Sequence, residues 1–564
     1  MTLSSAVVRR GEGSHRIHGA IVIVMVVAAF ALVAIANGVM GVPRNDDWVY
    51  IRSAVELERT GVFHPFTSTA LMVGQSLMGA GITHVLGVNV AALQIVVLVM
   101  GIIGLLANYL LFCGFLKPAA ATASVLTIAA GPFFVNLGLS FMTDVPSYAF
   151  ASLCLYVGWR ALRADSVSIP LLAFSLLLGL IAFSIREFGI SAPLAVVALL
   201  VWSARSRPHR RLPFVVVAMW AAVVVVLYLW RRGVAGGPSL GLTLMEAEPA
   251  LGVTVRSFFT VALFLLPVVA GISWRRVGAM LGHRRRSLAM IATIFLVTMW
   301  FFVTSTGYRS ALMGNYFTPQ GAYSVTVPGD PAVVFPPSVW LGIGVIALVS
   351  AVAVLWSLGC LSGAALRTAL GTTEPLARTA LILSVLFVAI YGSAWIVSVL
   401  FLGSPYFDRN LVPVIPVAAA VLLGLMERAG VLKRLWLVFA SGALAVIGVL
   451  GLVSTDAAAS FDALKWQTAS TVAASQGVPS ALIDGGYEWV GMHREGIAES
   501  DRHSGDDRYS WWVRMFPAAP VCGTTYHPSA AETRAGRQIA QMSRVSLLGR
   551  SSSLIVLAGP DCTD

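Results

Sequence analysis

Two adjacent carboxylates, Asp46 and Asp47, stand in the stretch Asn45-Asp46-Asp47-Trp48-Val49-Tyr50, just after the first long apolar run of the chain. A carboxylate within reach of a hydroxyl can take its proton as that oxygen attacks, so an acidic pair at a membrane surface is a candidate general base. The plainer reading is a wet loop whose acids cap the following helix. Other charged residues recur at comparable places. Asp144 precedes Val145-Pro146, where a helix N-cap is the plain alternative. Arg186 and Glu187 follow Ser184-Ile185, where the two could simply neutralise each other. Tyr308-Arg309 opens a long irregular loop. Arg409 follows Tyr406-Phe407-Asp408, where it could snorkel or pair with Asp408. Charge so close to apolar segments usually has a partner or a function.

The elements that must position these residues are set by composition. The chain has 564 residues, 57% hydrophobic and 11% charged, against roughly 25% charged in soluble globules. This is the composition of a polytopic α-helical membrane protein. At about 20 apolar residues per crossing, candidate spans fall at 19–40, 88–114, 119–140, 145–162, 169–185, 188–203, 213–230, 257–274, 288–305, 338–358, 379–402, 410–426 and 435–453. The first has a basic flank and no small-residue cleavage site after it, so it reads as a retained signal anchor. The net charge of +12 is a topology signal rather than a nucleic-acid one. With the N-terminus cytoplasmic, the inner connections carry 20 Lys and Arg and the outer ones nine, while acids show the opposite bias. The positive-inside rule therefore places the C-terminus outside.

Three outer pieces are large. The first, 41–83, holds two stretches that read as interfacial helices, Val49–Arg59 and Phe66–Ala80. The second, 305–337, is rich in Gly, Pro, Tyr and Asn. The third is a polar tail, 454–564, set off from a transmembrane domain over 1–453. In the tail Phe461–Ser475 reads as helix, Ala481–Asp484 and Ser553–Leu557 as strands, and Gly485-Gly486 as a turn, giving a small extracytoplasmic α/β domain. Cys522 and Cys562 lie there, and an oxidising compartment favours a disulfide between them. Cys113, Cys154 and Cys360 lie in or beside apolar runs, and no Cys/His spacing suggests zinc. Gly342-Ile343-Gly344-Val345-Ile346-Ala347 matches a dinucleotide pattern but lies inside a span, so it reads as helix packing.

One shared property ties the charged residues together. Asp46, Asp144, Glu187, Arg186, Arg309 and Arg409 all fall at outer ends of spans, on one side of the membrane. A carboxylate base beside guanidinium groups suits a substrate with a phosphate at headgroup depth. Arginine binds phosphate bidentately, stays charged, and stabilises a phosphate leaving group.

At this point the sequence resembles a family. An acidic pair in a long first outer loop is similar to the GT-C glycosyltransferases, in particular the group of protein O-mannosyltransferases and lipid A aminoarabinose transferases. Asp46-Asp47-Trp48-Val49-Tyr50 fits their Asp-Glu-x-x-Tyr pattern with Asp in place of Glu. Thr143-Asp144-Val145-Pro146 matches their second-loop Asp before Pro, and Arg186-Glu187 stands where many members have a basic residue. Tyr406 to Pro413 resembles a late segment that ends in proline, and Asp484-Gly485-Gly486-Tyr487-Glu488-Trp489 looks like the soluble domain of some bacterial members. The departure is in His64–Thr69, which lacks the phosphate-holding Lys of the aminoarabinose transferases.

The resemblance implies a polyprenyl-phosphate sugar as donor and a cell-envelope glycan, lipid or protein as acceptor, with membrane lipids around it and no nucleic acid. Asp46 would be the base, supported by Asp47, and attack would invert the anomeric carbon. Asp144 would place the acceptor or assist the base. Arg186, Arg409 and Arg309 would hold the departing phosphate, with Glu187, Tyr308 and Tyr50 beside them. The resemblance implies no cofactor, and a divalent metal stays open. The enzyme would sit in the plasma membrane. Two other classes compete. A transporter or flippase of lipid-linked saccharides calls for charge at mid-membrane and broken helices. A non-catalytic assembly protein would need no base.

Overall fold

The computed structural model describes residues 3–66, 70–162, 167–204, 211–234, 246–305, 310–322, 326–329, 331–360, 374–401, 406–496, 510–517, 520–528 and 537–559, with side chains from residue 14 onward. Backbone groups find no water inside a bilayer, so an apolar chain that crosses it must close its hydrogen bonds within helices. Helices occupy every expected span. α1 (Leu3–Ala36) leads into the first loop, which carries α2 (Asp47–Thr60) and α3 (Val73–Leu86). There follow α4 (Val90–Phe112), α5 (Pro118–Ala129), α6 (Phe134–Gly138), α7 (Asp144–Ala161), α8 (Ile169–Ile185), α9 (Ser191–Ala204) and α10 (Leu212–Val234). Then come α11 (Ala247–Phe264), α12 (Leu266–Ala270), α13 (Trp274–Met280), α14 (His283–Ser305), α15 (Pro337–Cys360), α16 (Pro375–Phe401), α17 (Val414–Arg428) and α18 (Trp436–Gln476). Among the described residues, seven helices are long and apolar enough to cross a membrane by length and composition. Pro118–Ala129, Ile169–Ile185 and Glu187–Ser203 are shorter apolar helices.

The outward faces are as apolar as the core. Met219, Val226, Ile291 and Ile294 are all more than 60% exposed. Leaving such side chains in water costs about 25 cal/mol per Å² of apolar surface, whereas lipid accepts them. The dinucleotide-like Gly342–Ala347 stretch lies within α15, as helix packing requires.

Three local departures shape the site. The apolar run 119–140 is two helices, because Pro132 cannot continue the first one; α6 resumes at Phe134 and carries the buried Asn136. The second loop helix begins at Val73 rather than Phe66. Met72 before it has φ +48, a left-handed conformation that interrupts an earlier start. α18 runs straight through residue 453 to Gln476, where Gly477 at φ +63 ends it. No Gly-Pro signal interrupts it, so the last span and the Phe461–Ser475 helix form one 41-residue rod.

The tail packs a small sheet on the end of that rod. β1 (Ile483–Asp484) pairs parallel with β2 (Gly523–Tyr526), which pairs antiparallel with β4 (Ser551–Ala558), and β3 (Gln538–Val545) forms the other edge. Ile483 and Val556 bury against Ala469 and Val472 of the rod. Gly485-Gly486 turns the chain into α19 (Tyr487–His493), with Gly486 at φ +103. Cys522 is disulfide-bonded; Cys562, its expected partner, lies outside the described residues.

Candidate active site

Asp46 precedes the first turn of α2, yet its side chain does not cap that helix. Its Oδ2 pairs with Nη2 of Arg409 at 3.0 Å, and its Oδ1 accepts from the Tyr487 hydroxyl at 3.0 Å. The Asp46 side chain keeps 18% of its surface exposed. Asp47 is turned the other way. It is fully buried, and its Oδ2 accepts the backbone N–H of Arg44 at 3.0 Å. Burial raises the Asp47 carboxyl well above the usual carboxylate range, against the pull of Arg44. The two adjacent acids therefore have opposite environments, one open to a partner and one inside the fold.

The Arg409 turn is fixed from beneath. The Asp408 carboxylate accepts the backbone N–H groups of Tyr316, Phe317 and Arg409, so it does not bind the Arg409 guanidinium. Burial pushes Asp408 up to about 7 against those three donors. This contact ties the 305–337 loop to the start of α17. Burial alone would lower Arg409, but the Asp46 and Asp144 carboxylates outweigh it and keep the guanidinium charged. Its Nε and Nη1 have no hydrogen-bond partner among the described residues.

Asp144, the first residue of α7, likewise does not cap its helix. It pairs with Nη1 of Arg186 at 2.8 Å. Arg186 also donates to Thr143 Oγ1 at 3.0 Å and to Asn410 Oδ1 at 2.7 Å. Arg186 thus bonds across the site rather than to its neighbour Glu187, whose side chain is exposed. Asp144, Arg186, Phe188, Tyr391, Arg409 and Asn410 line one cavity of about 20 Å³, room for about one water. Tyr50 is buried beside it; burial raises its phenol, and Asp46, Arg186, Arg409 and Asp144 all act on it.

Four charged groups from four distant stretches are thus gathered as two ion pairs. Tyr308 and Arg309 lie outside the described residues. Sequence reasoning did not single out Asn410, Thr143, Glu488 or the Tyr487 hydroxyl for this site. Asn410 directly follows Arg409, a signal that was available. Tyr487 is 441 residues from Asp46, and no local pattern marks that contact.

Residues 73–230 match the family model of dolichyl-phosphate-mannose-protein mannosyltransferases. The match spans less than a third of the chain, and over that segment the chain is similar to this family. The matched segment contains Asp144 and Arg186; Asp46 and Arg409 lie outside it, and the fold brings them to the same place. No curated protein matches the chain. Among solved structures it is similar to ArnT from Cupriavidus metallidurans bound to undecaprenyl phosphate, at 10% identity over 95% of this chain and 97% of that one, with a TM-score of 0.46. It is also similar to the archaeal oligosaccharyltransferase AglB from Archaeoglobus fulgidus in complex with an inhibitory peptide and a dolichol-phosphate. There the identity is 14% over 85% of this chain and 61% of that one, with a TM-score of 0.38.

Proposed function

We propose that this protein is a membrane glycosyltransferase that moves a sugar from a polyprenyl-phosphate donor to an acceptor hydroxyl on the extracytoplasmic face, with inversion. The observation that carries the reading is the Asp46–Arg409 ion pair, in which the guanidinium keeps two nitrogens free of partners and lines the same cavity as Asp144 and Arg186. The family match supports a lipid-phosphate-linked sugar as donor.

The acceptor oxygen attacks the anomeric carbon while the bond from that carbon to the phosphate oxygen breaks. Asp46 takes the acceptor proton as the new bond forms. The electron pair of the broken bond goes to the phosphate. The Nε and Nη1 donors of Arg409, with Arg186 beside them, face the growing negative charge, which is where fixed donors lower a barrier most. Asp144 holds Arg186 in place through their ion pair. Asp47, buried and bonded to Arg44, shapes the turn that carries Asp46. The enzyme sits in the plasma membrane, N-terminus inside and tail outside.

The test is reconstitution of the purified protein in liposomes with polyprenyl-phosphate sugars and a hydroxyl acceptor. Sugar transfer leaving free polyprenyl phosphate supports the reading. Lipid movement between leaflets with no transfer from any donor establishes the flippase class instead.

A further inference from the structure

The stretch that carries Asp46 is held at every residue from Gly41 to Asp47, and four of the holding side chains, Asp462, Trp466, Tyr487 and Glu488, come from the far end of the chain. Gln94 takes the Gly41 N–H at 2.9 Å and donates to the Val42 carbonyl at 2.9 Å. Trp466 Nε1 donates to the Pro43 carbonyl at 3.1 Å. Arg44, wholly buried, donates to Asp462 at 2.7 Å and to Asn136 at 3.0 and 3.1 Å. The Asn45 N–H donates to Glu488 Oε1 at 3.0 Å. Tyr487 then reaches Asp46 itself.

We propose that Tyr487 and Glu488, neighbours in the tail, are positioning residues that aim the Asp46 carboxylate, which makes the tail a working part of the active site. The inference rests on the reading of Asp46 as the base. Asn45 has φ +51, a left-handed conformation that asparagine enters more readily than most non-glycine residues. Glu488 holds the residue in that conformation through the Asn45 N–H. Lys465 in turn pins Glu488 at 2.8 Å and reaches Asp462 at 3.2 Å and Thr326 at 2.8 Å. The long rod, the 305–337 loop, the first loop and the tail therefore meet at one lysine.

The tail also sits hard against α2. A Cβ on Gly491 would lie 2.2 Å from Trp48 Cδ2, so α19 rests directly on the ring two residues beyond Asp46. One further contact fixes the direction of the Asp46 side chain. Burial, and after it the Asp46 charge, raise the Tyr487 phenol; the hydroxyl stays protonated and acts as donor. With Arg409 on one carboxylate oxygen and Tyr487 on the other, the carboxylate plane is fixed and a second lone pair on each oxygen is left for an acceptor proton.

The test is Tyr487→Phe in the full-length protein, assayed for transfer from a polyprenyl-phosphate sugar. The expected result is a kcat roughly tenfold lower with the donor KM and the thermal midpoint unchanged. Glu488→Gln, which keeps an acceptor oxygen for the Asn45 N–H, retains at least threefold more kcat than Glu488→Ala. Wild-type kcat in Tyr487→Phe overturns the inference and leaves the Asp46 reading standing. A fall in kcat matched by a lowered thermal midpoint assigns the pair a merely structural role and also overturns it. Absence of transfer by the wild type overturns both.

Discussion

The first loop turns its charged residues to opposite sides, and the two sides use charge differently. On one side Asp46 and Arg409 form a pair whose guanidinium retains two unpartnered nitrogens, beside the Asp144–Arg186 pair. On the other side, Arg44 spends Nε, Nη1 and Nη2 on Asp462 and Asn136, and Lys465 spends its ammonium on Asp462, Glu488 and Thr326. Both clusters set carboxylates against buried cations, and the two are joined through Asn45. What separates them is spare bonding capacity. A buried cation whose donors are consumed by the fold supports the fold, and one with donors left over can meet a ligand.

Removing one member on each side tests that distinction. Arg409→Ala removes the donors that would meet the phosphate; kcat for sugar transfer is expected to fall about 10²–10³-fold, with little change in thermal stability. The comparison breaks if Arg409→Ala unfolds the protein while its folded fraction turns over normally. Lys465→Met acts on the other side. It leaves the Glu488 carboxylate buried without its cation and takes one of two cations from Asp462, which keeps Arg44; breaking a buried ion cluster costs on the order of 3–5 kcal/mol. Denaturant or thermal unfolding should show that loss. The folded fraction should keep a donor KM within about twofold of wild type, because Lys465 lies away from the Arg409 and Arg186 guanidinium groups that would meet the phosphate.

The helical plan was legible because apolar length is read directly from sequence, and each expected span contains a helix. Two joints were not. The break between α5 and α6 hides in a continuous apolar run, where only Pro132 gives it away. The passage of α18 through residue 453 was obscured because Ser454-Thr455-Asp456 looks like a membrane exit. In fact a change in polarity does not stop the helix, which beyond residue 453 has no Gly or Pro until Gly477. For the site, the short outer turns placed Asp46, Asp144, Arg186 and Arg409 on one side. The sequence could not show which carboxylate meets which guanidinium. Plausible neighbours, Asp408 with Arg409 and Arg186 with Glu187, are passed over for Asp46, 363 residues from Arg409, and for Asp144, at the start of a different helix. The different environments of Asp46 and Asp47 go with a left-handed Asn45 and contacts from two tail residues, which no spacing encodes.

Asp46→Asn is the most direct measurement. The substitution keeps the size of the side chain and an acceptor oxygen, and it removes the proton-accepting charge. In purified, reconstituted protein with a polyprenyl-phosphate sugar, transfer should drop by about 10²–10⁴-fold while the thermal midpoint stays near that of the wild type. Wild-type turnover by Asp46→Asn would contradict the assignment of the base.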